Sequence, residues 1–124
     1  MGQRAKIVGM INGQKVVVRH YLNLQKFPNF RAYYIYVLLD PTTNEVRYVG
    51  ITSSIAERYI KHLDDRFKPT PKGQWTKSLS EQGLVPNLVI LEKLDTYKRY
   101  AQRREKQLIQ EYLAQGCKLF NIDQ

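Results

Sequence analysis

Hydrophobic and polar positions switch between a two-residue and a helical period along this chain, and the switches mark its elements. Tyr33 to Leu39 is an unbroken run of aromatic and aliphatic residues, which reads as a strand buried on both faces. Asp40-Pro41-Thr42-Thr43-Asn44 is turn chemistry, and Val46 to Gly50 returns as a second strand of a hairpin. Thr52, Ser53 and Ser54 offer N-caps for a helix through about Phe67, with an apolar stripe of Ile55, Tyr59, Ile60, Leu63 and Phe67. Arg58 and His62, one turn apart, lie at the edge of that stripe, where side chains can look into a cleft. Pro69 and Pro71 mark a loop, and a short helix around Trp75 to Gln82 stops at Gly83. Leu88 to Leu94 is a third strand, Asp95 or Thr96 caps a long helix, and Gly116 ends it. The predicted order is β-β-α-α-β-α.

One residue breaks the pattern of the last helix. Tyr97, Ala101, Leu108, Ile109 and Tyr112 draw a single stripe, and Glu105 falls inside it, four residues from Ala101 and four from Ile109. Burying an unpaired carboxylate is costly, so such a residue pairs with a cation or a metal, or takes up a proton. An ion pair with Arg58 or a neighbouring basic chain is the plainer of these readings.

Upstream, Lys6 to Ile11 and Lys15 to Tyr21 are β-rich runs around Asn12-Gly13, a strong hairpin signal, followed by a loop through Pro28. Charge separates this segment from the rest. Residues 1–31 hold Arg4, Lys6, Lys15, Arg19, Lys26 and Arg31 and no acid, which is +6, leaving 14 basic against 11 acidic residues, or +3, for 32–124. We therefore expect a basic β-hairpin extension over 1–31 and a second unit over 32–124. A net charge of +9 on 124 residues that are 43% hydrophobic indicates a folded basic domain with a polyanionic partner, nucleic acid first. Nine tyrosines among the basic residues suit stacking as well as phosphate contact. The single Cys117 can form no internal disulfide and has no zinc-site companions, which favours a reducing compartment. With no apolar run of membrane-spanning or signal length, the expected location is intracellular, cytoplasmic or nucleoid-associated.

Tyr34-Ile35-Tyr36, Tyr48-Val49-Gly50, Arg58 with His62, Glu105 ahead of Leu108-Ile109, and Leu119-Phe120-Asn121 follow one another in an order that resembles the GIY-YIG nuclease superfamily, over about residues 32–122. The resemblance implies an α+β fold, a small three-stranded antiparallel sheet flanked by helices, here preceded by the basic hairpin arm. It also implies a metal-dependent DNA endonuclease of restriction, mobile-element or repair type. Arg58 is then the clamp on the scissile phosphate, since guanidinium is always charged and matches two phosphate oxygens. Glu105 is the single carboxylate for one Mg²⁺ or Mn²⁺ ion per site. Tyr36 and Tyr48 match the family's tyrosines, one of which activates water, and His62 is a second proton acceptor or an orienter of a hydroxyl. Asn121 matches the terminal asparagine, which ties the last segment to the site. Two departures stand out: Tyr34 replaces glycine in the first motif, and Ile51 follows the second motif where some members carry lysine.

The six basic residues of the arm are the expected DNA contacts. Specificity and double-strand cleavage would come from a dimer on DNA or from fusion to a separate domain, and the chain can itself be part of a longer protein. A non-catalytic nucleic-acid-binding module that keeps the fold is the competing reading. It would lose a charge from the site, whereas Arg58, His62 and Glu105 are all present. A basic protein-interaction domain would have no use for a carboxylate inside a helix stripe.

Overall fold

The computed structural model describes residues 4–11, 14–21 and 30–121, the first two segments by their backbone. The apolar run at its centre becomes β3 (Phe30–Leu39), whose residues Ile35 to Leu38 are buried on both faces. It pairs antiparallel with β4 (Val46–Thr52) on one side and β5 (Asn87–Tyr97) on the other. These three strands form the antiparallel sheet of an α+β domain. Upstream, β1 (Arg4–Ile11) and β2 (Gln14–Tyr21) are antiparallel in a register from Arg4↔Tyr21 to Ile11↔Gln14. β2 then pairs parallel with β5, from Val17↔Glu92 to His20↔Asp95, so one five-stranded sheet runs in the order β1-β2-β5-β3-β4. The basic hairpin extends the sheet rather than hanging from it. Its Asn12-Gly13 turn, and the loop holding Lys26 and Pro28, lie outside the described residues.

Alternation along the strands sends two sets of side chains to two helical layers. Tyr33, Ile35, Val37, Val49 and Leu94 pack against Ala101 and Leu108 of α3 (Lys98–Ala114) and against Leu119 beyond it. Each such buried side chain contributes about 1.5–3 kcal/mol. The opposite face, with Tyr36, Leu38 and Tyr48, lies under α1 (Ile55–Asp64), a 3₁₀ turn (Asp65–Phe67) and α2 (Pro71–Glu81). A three-pronged ion pair fixes α3 on the sheet: Arg104 Nε lies 3.0 Å from both oxygens of the buried Glu92, and Nη2 lies 2.6 Å from Oε2.

Three helix assignments differ from the sequence expectation. Asp95 and Thr96 belong to β5 and cap nothing; Tyr97 is the N-cap of α3, because pairing with β3 continues as far as Phe30↔Tyr97. α2 begins at Pro71 rather than near Trp75: Thr70 is its N-cap, accepting from the Gly73 amide at 3.0 Å, and Pro71 occupies the first turn. The apolar stripe of α1 faces inward only in part, with Ile55, Tyr59 and Leu63 half-buried. Ile60 is 58% and Phe67 of the following turn 74% exposed, while His62 is the buried residue of that helix.

β4 is a sheet margin, and several of its outward backbone groups have partners. Phe120 N donates to Arg47 O at 2.7 Å, and Asn121 bonds both backbone groups of Val49, at 2.9 and 2.7 Å. The Ile51 amide, two residues on, faces Glu105 of α3 and pulls its carboxyl down. The strand edge is thereby covered in part by the segment after α3.

Candidate active site

Leu38 pairs with Tyr48, so Tyr36 and Tyr48 emerge from neighbouring strands on one face. Their ring centroids are 6.5 Å apart, and the His62 ring completes a triangle at 5.6 and 5.0 Å. Tyr36 is fully buried and lies across Gly50, its cross-strand partner. A methyl group at Gly50 would overlap Oη and Cζ of Tyr36, so glycine here is a condition of the tyrosine's position.

A polar chain runs behind this triangle. Tyr36 Oη is 2.6 Å from His62 Nε2, and His62 Nδ1 is 2.7 Å from Lys72 Nζ. Lys72 also bonds Asp65 Oδ2, and Lys68 pairs with Asp65 Oδ1 at 3.2 Å. Against burial, which raises it, Lys72 and Lys68 hold the Asp65 carboxyl below its ordinary value. Gly73 lets the first turn of α2 reach this turn, since a Cβ there would strike the carbonyl oxygens of Lys68 and Asp65.

Arg58 stands in front of both phenols. Hydrogen bonding to Tyr36 raises its pKa against burial, and its Nε is buried without a hydrogen-bond partner among the described residues. It forms a common wall of two clefts. One, of about 760 Å³, is lined by Arg31, Lys98 and Arg99 and by the hydroxyl residues Thr52 and Ser53. The other, of about 320 Å³, is lined by Tyr48, His62, Lys61 and Lys68. Burial pushes both phenols up, Arg58 pulls them down, and the Glu105 charge raises them again.

Glu105 is half-buried on the sheet-facing side of α3. Burial raises its carboxyl, while Arg58 and the Ile51 amide pull it down. No ion pair reaches it among the described residues, so its relation to Arg58 is attraction across a gap and not a contact. Tyr36, Tyr48, Arg58, His62 and Glu105 thus gather at one margin of the sheet, with Asn121 bonded to the residue next to Tyr48. Of the basic residues, Arg31 is exposed beside the larger cleft, Arg4 and Lys6 lie in β1, Lys15 and Arg19 lie in β2, and Lys26 is outside the described residues.

The family model of the GIY-YIG catalytic domain matches residues 32–118. The chain belongs to the GIY-YIG family. Neither the curated proteins nor the solved structures hold a match to it. Membership places this GIY-YIG domain in a nuclease-type family, and none of the helices among its described residues is long and apolar enough to cross a membrane.

Sequence reasoning missed Lys72 and Asp65. The available signal was Thr70-Pro71, an N-cap followed by a first-turn proline, which puts a lysine on the positive end of a helix dipole and so asks for an acidic partner. In this GIY-YIG domain the lysine beside the tyrosine pair comes from α2, its Nζ 5.0 Å from the Tyr48 ring centroid, and not from the position that Ile51 occupies. Tyr34, in place of the family glycine, is half-buried between Thr52 and Lys93 on the flanking strands.

His62 of the GIY-YIG domain yields a prediction about acid stability. Burial, then the charges of Lys72 and Arg58, push its pKa down to about 4. Because the folded value lies below the unfolded one, the unfolded chain binds the extra proton first, and stability falls as pH drops from about 6.5 toward 4. The loss from this group is about 3 kcal/mol. Asp65 adds its own loss only below about 3.8. Urea unfolding at pH 7, 5.5 and 4 should show a shallower decline for His62→Gln than for the wild type; parallel declines would remove His62 as the cause.

Proposed function

We propose that the chain is a divalent-metal-dependent DNA endonuclease. The observation that carries the proposal is that Arg58, which walls a cleft with Arg31, Lys98 and Arg99, also neighbours two phenols and one carboxylate that has no ion pair among the described residues. Hydrolysis of a phosphodiester builds negative charge on nonbridging oxygens, and fixed positive charge at close range stabilises it. Arg58 supplies that charge, and its unpartnered Nε leaves a donor for the phosphate. Clefts on either side of Arg58 give the strand a path through the site, with Arg31, Lys98 and Arg99 along the larger one. The attacking water gives its proton to a phenol oxygen or to His62.

Among the described residues no three His, Cys, Asp or Glu side chains gather into a metal cage. Glu105 offers a single half-buried carboxylate without a cation partner, which fits a hard ion that takes one or two carboxylates and fills its shell with water and phosphate. When bound there, such an ion supplies charge to the phosphate and offsets the Glu105 charge that raises both phenols. Incubating supercoiled plasmid with and without Mg²⁺ or Mn²⁺ tests the proposal. Nicked product dependent on the ion is expected, since one site acting once cuts one strand; binding without cleavage under both ions would favour the non-catalytic module.

The basic hairpin is proposed to hold phosphates. Deleting residues 1–31 would also strip β5 of its parallel partner, so charge substitution is the sharper experiment. With Arg4, Lys6, Lys15 and Arg19 changed to Gln, duplex affinity should fall. The slope of log affinity against log salt should flatten by about 0.9 for each phosphate that is no longer neutralised. An unchanged slope would assign these residues another task.

A further inference from the structure

Lys72 is the one buried lysine or arginine among the described residues, set at the back of the smaller cleft behind His62. Its neighbours define its state. Asp65 is kept ionised by Lys72 and Lys68 against burial; burial in turn lowers Lys72, and the aspartate anion bonded to Nζ opposes that shift and holds Lys72 as an ammonium. An ammonium has three donors and no acceptor. At 2.7 Å from His62 Nδ1 it can only donate, so Nδ1 carries no proton. The neutral imidazole must then hold its proton on Nε2, which lies 2.6 Å from Tyr36 Oη.

We infer that Lys72, anchored by Asp65, is a positioning residue that fixes His62 as the Nε2–H tautomer, so that His62 donates to Tyr36 and cannot take its proton. Both ring nitrogens are engaged, one by the ammonium and one by the phenol oxygen. Tyr36 of β3, Tyr48 of β4, Arg58 of α1, Asp65 of the 3₁₀ turn and Lys72 of α2 are the charged and titratable groups around the ring; of these, Asp65 Oδ2 lies 3.7 Å from Nδ1, beyond hydrogen-bond distance, and Lys72 Nζ at 2.7 Å is the bonded partner of that nitrogen. On the nuclease reading, the consequence is a division of labour. His62 and Arg58 both support negative charge on the Tyr36 oxygen against the burial that raises it; once Tyr36 has released its own proton to bulk water, that oxygen accepts the proton of the attacking water. The water oxygen forms the new bond to phosphorus while the departing oxygen leaves with its electron pair.

Long-range ¹H–¹⁵N spectra of the full chain test the assignment directly. The sequence has two histidines, His20 and His62, so a His62→Gln sample identifies the signals. At neutral pH the wild type should show His62 with a bare Nδ1 and a protonated Nε2; a proton on Nδ1 overturns the proposal. Lys72→Met should mix the two tautomers and move the His62 pKa back toward about 6.5. Asp65→Asn should mix the tautomers in part, since Lys72 loses its anchor. A Lys72→Met protein that keeps a pure Nε2–H imidazole would show that Lys72 does not set the tautomer. Turnover by Lys72→Met should fall about tenfold to a hundredfold with DNA affinity unchanged, a share of the ~10²–10⁴-fold that a positioned proton-transfer group contributes. The wild-type spectrum decides the inference even if a variant fails to fold. A wild type that cuts no DNA would end the nuclease reading while the tautomer still stood or fell by its own signals.

Discussion

Glu105→Ala is expected to abolish ion-dependent cleavage while DNA binding and folding persist. Among the described carboxylates of the site, Asp65 is taken by Lys68 and Lys72 whereas Glu105 has no ion pair, and losing the charge of an ion held there removes several kcal/mol of transition-state stabilisation, about three decades in rate. Stability should hold or rise. A raised carboxyl favours the fold below its unfolded value near 4.5 and loses that contribution as pH climbs through the folded value, so at neutral pH ionised Glu105 is a burden on the native state. Arg104→Ala, one residue away on the same helix, is the informative contrast. It removes the three-pronged partner of the buried Glu92 carboxylate and should cost up to about 3–5 kcal/mol. Plasmid cleavage across an Mg²⁺ titration, with thermal unfolding of the same samples, checks both. An early-melting Glu105→Ala protein that still cuts at the normal Mg²⁺ concentration would make Glu105 a structural partner.

Tyr36→Phe should lower turnover by about 10²–10⁴-fold, the usual contribution of a positioned proton acceptor, with little change in affinity. Phenylalanine fills the same space across Gly50, so the ring packing survives and only Oη is lost. Tyr48→Phe should cost less: Tyr36 is the phenol that meets His62, and Tyr48 meets the same imidazole ring edge to face. Single-turnover rates against pH for both variants discriminate. A silent Tyr36→Phe beside a dead Tyr48→Phe would reverse the roles.

The central hairpin was legible because a strand buried on both faces has to be apolar throughout, and β3 is. Glu105 was legible for the opposite reason, as a charge in a place where apolar side chains were due. Motif order carried the family, and the family model agrees over 32–118. α1 misled because periodicity counts only apolar residues. The space under that helix is filled by Tyr36, Tyr48, His62 and Lys72, polar groups satisfied by one another, which left Ile60 and Phe67 outside. Reading Pro69 and Pro71 together as a loop hid the true start of α2, and Lys72 with it. The parallel union of β2 with β5 could not be read from local pattern at all, since it joins segments about seventy residues apart through backbone bonds that carry no side-chain signature.

The margins of the sheet are β1 and β4, separated by four strand spacings, about 19 Å. Basic residues populate the first margin and the proposed cutting centre occupies the second. Laid along a duplex, that separation equals about six base pairs, a little over half a helical turn. Grip and scission would then be offset by a length counted in strands, a ruler written into the backbone pairing and independent of any linker.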